Sequence, residues 1–318
     1  MQQEHNSIRL GISRCLLGEK VRYDGNHKLD RYLVGTLGKF VQWVGVCPEV
    51  ESGLGVPREP MRLVEKGGKV SLVTINSAKD HTDTLVSWSK NSVKELRKLN
   101  LAGFIFKCKS PSSALRDAKI YGENGYVQGK GPGLFAKEFI ERNSWIPAED
   151  DGRLHDPAIR ENFIERVFVY ARWCELIKSK LSIDTLINWH ADHKLQLMAH
   201  SPSKTTALGN MLGTHDKRVK RLYYCYFFSM MQILKETATV KKNVNALQHI
   251  AGYFKSDLSK QEKQEIVEVI ENYHQSQVPL IVPITLLNHF VRKYDKSYLL
   301  RQVYLNPHPL ELKLRTYI

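Results

Sequence analysis

Three of the five cysteines closely follow short apolar segments, a position where a side chain leaves the core and can carry chemistry. Cys15 follows IRLGIS, Cys47 follows VQWVGV and Cys108 follows GFIF, whereas Cys174 and Cys225 lie in apolar helical stretches and are interpreted as core residues. A cysteine thiolate is both a nucleophile and a ligand for metals. Spacing alone leaves the alternative of buried structural thiols equally open.

The apolar segments themselves predict the strands of an α/β domain. Short apolar runs at 8–13, 41–46, 70–75 and 103–106 alternate with helical patterns, including the amphipathic segment 82–99. Strands separated by helices pair in parallel through right-handed crossovers. The first half is therefore predicted to be an α/β domain with a parallel-type sheet and helices on both faces.

In such a sheet, ligands bind in a crevice beyond the carboxyl ends of the strands. Cys15 and Cys47 follow two of the predicted strands, and the turn Ser-Pro-Ser-Ser at 110–113 follows another. The sequence therefore predicts that these residues converge on one crevice.

The second half predicts an all-α C-terminal domain, because helical periodicity continues from Ile183 without strand alternation. We predict a first domain over 1–155, a connecting helix over 156–182 and a helical domain over 183–318. The helices expected in the helical domain are 183–199, 218–236, 241–257, 259–274, 283–294 and 296–304.

Composition and charge restrict the class of protein. No uncharged apolar run is long enough to span a bilayer and the first residues lack a signal-peptide pattern, so we expect a cytoplasmic protein with no membrane partner. An odd number of cysteines argues against a disulfide framework.

The net charge of +14 is shared by both halves, since 183–318 holds 18 Lys and Arg against 11 Asp and Glu, which is +7. Neutralisation of phosphates supplies most non-specific affinity for nucleic acids, so a polyanion fits this distribution. A basic but inert surface is the alternative.

Motifs in both halves resemble known families, and together they cover about 8–304. Those of the first half resemble the TudS-type thiouracil desulfidase domain; they are SRCLLG-x-x-VRYDG, VCPEVESGLGVPR, GFIFK-x-KSPS and GRL-x-D-x-x-x-RENF-x-ERVF. Those of the second half resemble the YbgA-type helical domain; they are W-H-x-x-HK-x-x-LMAHSP, N-x-LQHI-x-GYFK, VPLIVPITLL and VYLNPHP-x-EL. The combination resembles RudS-type enzymes, which remove sulfur from 4-thiouridine in tRNA and whose helical domain is taken to hold the tRNA.

The resemblance implies an iron–sulfur enzyme. In the family, three cysteine thiolates hold a 4Fe–4S cluster with one open iron that binds the sulfur of a thiolated pyrimidine base, and water replaces that sulfur without net redox change. Cys15 and Cys47 match two ligand positions, Glu49 matches a carboxylate that moves protons, and Ser110 matches a hydroxyl beside the substrate. The alternatives are a dipole-stabilised carboxylate for Glu49 and a turn-forming serine for Ser110.

The third ligand position departs from the family pattern. The family motif reads Ser-Pro-Ser-Cys-Gly, whereas this chain ends the motif with Ser113 and Ala114. A hydroxyl is harder and far less acidic than a thiol, so it should hold a cluster poorly. The open outcomes are ligation by Ser113, recruitment of Cys108, or loss of the cluster, and we expect Cys108 to reach the site only if the turn rearranges.

Basic residues and histidines near the motifs are the predicted RNA contacts. Structural histidines and solvated charged faces are the main alternatives, and a metal site at the histidines is disfavoured because no acidic or cysteine partner follows at a recognisable spacing. The predicted contacts are Arg22, Arg58, Lys107, Lys109, His190, His193, Lys194, Lys217, Arg218, Lys220, Arg221, Lys241 and Lys242.

The sequence leaves three functions open. The favoured one is an enzyme of tRNA modification, an iron–sulfur dependent desulfidase whose partners are tRNA and the thiolated pyrimidine base. The second is a tRNA-binding protein with a decayed cluster site, which Ser113 motivates. The third is a desulfidase for small-molecule thiouracil, in which the helical domain serves assembly.

Overall fold

The computed structural model describes residues 8–213 and 218–317. These residues divide into two compact units between Asp156 and Pro157. The strands of the first unit, β1 to β8, are Arg9–Ser13, Gln42–Val46, Met61–Lys66, Lys69–Thr74, Gly103–Phe106, Ala118–Gly122, Val127–Gly131 and Ala148–Asp150. Its α-helices, α1 to α4, are Arg31–Gly35, Pro48–Glu51, Thr82–Lys98 and Leu134–Arg142.

The predicted parallel sheet is confirmed, with strand order β2-β1-β5-β8 and parallel pairing throughout. Ser13 of β1 is the register partner of Val46, and Ile12 is the partner of Ile105 in β5. The three strands therefore end at the same level, and the segments that follow them emerge at one edge of the sheet.

The predicted strand at 70–75 lies in a different sheet. It forms β4, which pairs antiparallel with β3 through the two-residue turn Gly67-Gly68, where the φ angles are 56° and 77°. A hairpin turn of this kind needs positive φ at both central residues, which glycine adopts without strain. The expectation that this strand joins the parallel sheet is wrong, because the glycine pair specifies a local hairpin; the second sheet has the order β4-β3-β6-β7.

Aromatic side chains attach the parallel sheet to its helices. Phe104 and Phe106 of β5 are fully buried, and their ring centroids lie 4.9 Å from Phe139 and 6.1 Å from Phe135 of α4, respectively. Burying a side chain of this size stabilises the fold by about 1.5–3 kcal/mol. The end of β5 is therefore held firmly by the core immediately before the segment that carries Cys108.

The second unit is helical, as predicted. Its helices, α5 to α12, are Pro157–Leu176, Ile183–His200, Pro202–Gly213, Val219–Lys235, Val240–Gly252, Lys260–His274, Ile281–Lys293 and Ser297–Leu300. The segment 156–182, predicted as a connecting helix, is helical over α5, and its residues 157–182 belong to the second unit. Helix α7 was not predicted, although Pro202 is well suited to the first turn of a helix. None of the described helices is long and apolar enough to cross a membrane.

Candidate active site

A cavity of about 730 Å³ opens at the carboxyl ends of β1, β2 and β5. Its wall includes Cys15, Cys47, Glu49, Ser110 and Ser113. The structure thus brings together the residues that the sequence predicted to converge, because parallel strands of equal register deliver their following loops to one edge of the sheet.

The two thiols at the family positions are buried. Burial raises the pKa of Cys15 to about 11 and that of Cys47 to about 12. Desolvation disfavours the charged form of a thiol, and the thiolate is the form that binds metals. Both sulfurs therefore need a neighbouring positive charge or a metal to become thiolates at neutral pH.

Glu49 lies at the centre of a hydrogen-bonded group that we name the Glu49 cluster: Glu49, Arg58, Ser110 and Ser112. Glu49 Oε1 accepts hydrogen bonds from Ser112 Oγ at 2.5 Å and from Ser110 Oγ at 3.5 Å. Glu49 Oε2 lies 3.4 Å from an Arg58 guanidinium nitrogen and accepts a hydrogen bond from the Cys47 thiol at 3.5 Å. This carboxylate therefore joins one of the two thiols to the serine turn, which is more than a stabilising charge at a helix N-terminus would do.

The serine turn combines two roles. Ser110 Oγ accepts hydrogen bonds from the backbone amides of Ser112 at 3.3 Å and Ser113 at 3.1 Å, so it forms the turn, and it also lines the cavity. Ser112 is completely buried and makes the shortest contact to Glu49. Sequence reasoning missed Ser112, although its spacing of two residues from Ser110 was a visible signal.

Ser113 occupies the position at which the family has a cysteine. Its hydroxyl lines the cavity and lies 3.1 Å from Ser112 Oγ. Ala114, the second departure from the family motif, is fully buried in the apolar core beside the second sheet. The turn therefore still packs against the core, and the departure from the family motif puts a hydroxyl in place of a thiol at the cavity wall.

Cys108 lines the same cavity. Its sulfur accepts a hydrogen bond from Lys107 Nζ at 3.0 Å, and its backbone amide donates to Asp151 Oδ1 at 2.7 Å. The structure places Cys108 in the cavity wall, because it stands two residues beyond β5 and before the serine turn; its recruitment as a ligand stays a prediction.

Two thiols of the cavity wall are of the type that holds an iron–sulfur cluster. No three His, Cys, Asp or Glu side chains of the described residues converge on a single metal ion. A cluster makes a different demand, because it is held by several thiolates placed around a cavity. Cys15 and Cys47 meet that demand by type and position, and two candidate third donors, Ser113 and Cys108, line the same cavity.

The predicted RNA contacts of the first unit also line this cavity. Arg22 forms an ion pair with Asp24 at 3.3 Å, and Lys109 is exposed. Arg58 and Lys107 are held in ion pairs with acidic residues of the wall. Arg58 and Lys107 therefore also hold the cavity wall together, and their contact with RNA stays a prediction.

His190 and His193, two of the three histidines of α6, are at least half-buried. His193 is 3% exposed and donates from Nδ1 to the Trp189 carbonyl at 2.9 Å, and His190 Nδ1 lies 3.0 Å from the Tyr226 hydroxyl. Burial lowers the pKa of His190 to about 4 and that of His193 to about 3, so both are neutral at neutral pH. We assign His193 to the core and His190 to a half-buried structural position, which corrects their predicted role as RNA contacts.

The other predicted contacts of the second unit differ in exposure. Lys242 is half-buried and donates to the His200 carbonyl, so it is a structural cation. Lys217 lies outside the described residues. The exposed members, whose contact with RNA stays a prediction, are Lys194, Arg218, Lys220, Arg221 and Lys241.

Comparisons with known proteins divide the chain in the same way. A family model described as 2-thiouracil desulfurase matches residues 10–151, and one described as a protein of unknown function, DUF1722, matches residues 194–309. The uncharacterized protein YbgA of Escherichia coli K12 is 26% identical over 152 residues, which are 47% of this chain and 90% of YbgA. The uncharacterized protein YbbK of Bacillus subtilis 168 is 28% identical over 124 residues, which are 37% of this chain and 79% of YbbK.

Among solved structures, a 4Fe–4S-dependent thiouracil desulfidase, TudS, is 28% identical with a TM-score of 0.37; the match covers 48% of this chain and 97% of TudS. The resemblances found in the sequence are confirmed by the family matches of the two halves. The chain therefore carries a TudS-like domain, matched over residues 10–151 by the 2-thiouracil desulfurase model, followed by a YbgA-type domain, matched over residues 194–309 by the DUF1722 model.

Proposed function

We propose that the first domain removes sulfur from a thiolated pyrimidine, and that its substrate is 4-thiouridine in tRNA. The observation that carries the proposal is the Glu49 cluster, which sets a carboxylate and two serine hydroxyls beside a buried thiol at an open cavity. Membership of the first domain in the 2-thiouracil desulfurase family supports the reaction type.

The reaction exchanges a sulfur atom for an oxygen atom. Water adds to the carbon that bears the sulfur, the carbon–sulfur bond breaks, and the sulfur leaves as hydrosulfide while the base becomes a uracil. No electrons are gained or lost, so the protein has to bind the sulfur and move protons. An iron–sulfur cluster held by Cys15, Cys47 and a third donor would supply a Lewis-acidic iron for the sulfur.

Each member of the Glu49 cluster has a defined part in the proposal. Glu49 accepts a proton from the attacking water, and the Ser112 hydroxyl, 2.5 Å away, holds the carboxylate in position. Ser110 lines the cavity and is placed to contact the base. Arg58, whose side chain is 9% exposed, pairs with Oε2 of Glu49. The two serines orient the other oxygen, Oε1.

The basic residues of the two units support a polynucleotide substrate. The cavity wall carries Lys28 and Lys109 in addition to the ion-paired Arg14, Arg22, Arg58 and Lys107, and the second unit presents exposed basic residues at the start of α8. Phosphate groups are attracted to such surfaces, and an exposed base must be held in place to reach a buried site. We therefore assign tRNA binding to the second domain.

The departure at Ser113 favours a second candidate, a tRNA-binding protein whose site has lost its cluster. A hydroxyl at this position weakens a cluster that depends on it. This candidate predicts a colourless protein that binds tRNA and leaves 4-thiouridine intact.

The test is the dethiolation of tRNA that carries 4-thiouridine, using protein reconstituted with iron and sulfide without oxygen. We expect the thiobase absorption to disappear with wild-type protein and to persist with Glu49→Gln. A colourless wild-type protein that binds tRNA but leaves the thiobase intact would establish the non-catalytic candidate. Turnover of free 4-thiouracil without turnover of tRNA would instead identify a small-molecule enzyme.

The tRNA part of the proposal has its own measurement. If phosphates are the contacts, counterion release makes the affinity for tRNA fall steeply, by about 10³-fold or more for six or more phosphate contacts, between roughly 50 and 200 mM salt. An affinity that hardly changes over this range contradicts the assignment of tRNA to the basic surface.

A further inference from the structure

Three cysteines emerge at one level from neighbouring strands of the parallel sheet. Ser13 is paired with Val46, and Ile12 is paired with Ile105. Cys47 stands one residue beyond β2, Cys15 and Cys108 stand two residues beyond β1 and β5, and all three line the same cavity. The sheet therefore presents one sulfur from each of β1, β2 and β5, with β1 in the centre.

The position of Ser113 is less suitable for a third ligand. Its hydroxyl lies 3.1 Å from Ser112 Oγ, and Ser112 in turn donates to Glu49. Ser113 therefore belongs to the hydrogen-bonded chain of hydroxyls that ends on the carboxylate. A serine hydroxyl in such a chain keeps its proton far more readily than a thiol, and thiolates are the ligands that soft iron–sulfur sites select.

A fixed cation lies beside Cys108. Lys107 Nζ donates to the Cys108 sulfur at 3.0 Å and is itself held by Asp151 Oδ2 at 2.7 Å. The aspartate fixes the ammonium in place, so the charge is directed at the cavity side of the β5 loop.

Gly152 leaves room for the sulfur of Cys108. A Cβ on Gly152 would lie 3.2 Å from Cys108 Sγ, closer than an ordinary van der Waals contact. Gly152 has φ −60° and ψ −35°, a conformation open to any residue, so its backbone does not require glycine. The absent side chain is therefore explained by room for the sulfur of Cys108.

From this geometry we infer that Cys108, and not Ser113, provides the third thiolate for the iron–sulfur cluster, so that the ligand set of this chain is Cys15, Cys47 and Cys108. The inference rests on the proposed function for the presence of a cluster. It assigns the third ligand to the loop after β5, five residues before the position that the family motif uses.

The first test measures iron and acid-labile sulfide bound after anaerobic reconstitution of the full chain. We expect Cys108→Ala to lose most of its iron and its absorption near ~400 nm, and Ser113→Ala to retain the wild-type content. Cys174→Ala is the matched control, because Cys174 is a half-buried thiol of the second unit, remote in sequence. Iron retained by Cys108→Ala, or lost by Ser113→Ala, overturns the assignment.

The second test needs no variant and so does not depend on the folding of Cys108→Ala. Wild-type protein is alkylated with iodoacetamide before and after removal of iron by a chelator, and each cysteine is located by mass spectrometry. We expect Cys108 to be protected with Cys15 and Cys47 in the iron-loaded protein and to react only after chelation, while Cys174 reacts equally in both samples. Alkylation of Cys108 in iron-loaded protein contradicts the assignment alone, whereas wild-type protein that takes up no iron contradicts the proposed function and the assignment together.

Discussion

Two carboxylates, the half-buried Glu49 of the first unit and the buried Glu165 of the second, have contrasting surroundings. Glu49 is 12% exposed at its side chain and lines the 730 Å³ cavity, and its partners are hydroxyls, a thiol and one guanidinium. Glu165 is 4% exposed and accepts from Arg315 at 2.5 Å, with His200 Nε2 at 3.2 Å. Burial alone would raise the pKa of Glu165, but the charges and hydrogen bonds of Arg315 and His200 outweigh it and lower that pKa.

The comparison separates a carboxylate available for chemistry from one that holds helices together. Arg315 also donates to Glu161 at 3.1 Å and to the Tyr304 carbonyl at 2.7 Å, so α5 and the C-terminal segment are joined by a saturated ionic network. Glu49, by contrast, accepts hydrogen bonds from hydroxyl and thiol groups and lies at the wall of an open cavity. The nature of the partners, more than the depth of burial, therefore distinguishes the two sites.

The largest effect is expected at Glu49. Replacing it with Gln removes the proton acceptor, so we expect desulfidation to fall by about 10²–10⁴-fold, the range typical of a general base. The turnover of 4-thiouridine in tRNA measures the loss, and Glu95→Gln on the exposed side of α3 is the control. Full activity in Glu49→Gln would place the chemistry elsewhere.

For the ion-paired carboxylates Glu161 and Glu165, we expect the loss of their partner to lower the stability of the protein. Arg315→Met leaves Glu161 and Glu165 buried without their cation, so we expect a loss of about 3–5 kcal/mol in the free energy of unfolding. Urea denaturation measures it. Arg301→Met breaks an exposed pair with Asp192 and should cost less than about 1 kcal/mol, so equal losses in the two variants would contradict the comparison.

Ser112 tests whether the short hydrogen bond to Glu49 positions the carboxylate. Ser112→Ala removes a bond to a charged group, which is worth about 1.5–3 kcal/mol, so we expect turnover to fall by about tenfold or more. A loss of stability with unchanged turnover would reduce Ser112 to a packing role.

The smallest effect is expected for His193, a buried histidine of α6. The pKa of His193 is lowered by burial from 6.5 to about 3, so the unfolded chain binds the proton first and stability is lost as pH falls below about 6.5. At one pH unit below that value the loss from one such group is about 1.4 kcal/mol. His193→Gln should flatten the pH dependence of unfolding relative to wild type, while exposed His249→Gln should not.

Much of the architecture followed from local patterns. The strands at 103–106 and 42–46 are where apolar runs predicted them, and the first of them is fully buried, as a continuously apolar parallel strand should be. The hairpin of β3 and β4 was missed, although Gly67-Gly68 between two alternating segments is a hairpin signal. Helix α7 was missed because its pattern follows the previous helix after a single non-helical residue, Ser201.

The sequence by itself determined the two domain families, the α/β and helical classes, and the cysteines and Glu49 as candidate residues, because motif order and periodicity are properties of the chain alone. Only the tertiary structure decided that Cys108 lines the same cavity as Cys15 and Cys47, since register between strands distant in sequence sets which loops meet. It also decided that His193 is a core residue, because burial depends on packing against other helices and not on the residue type.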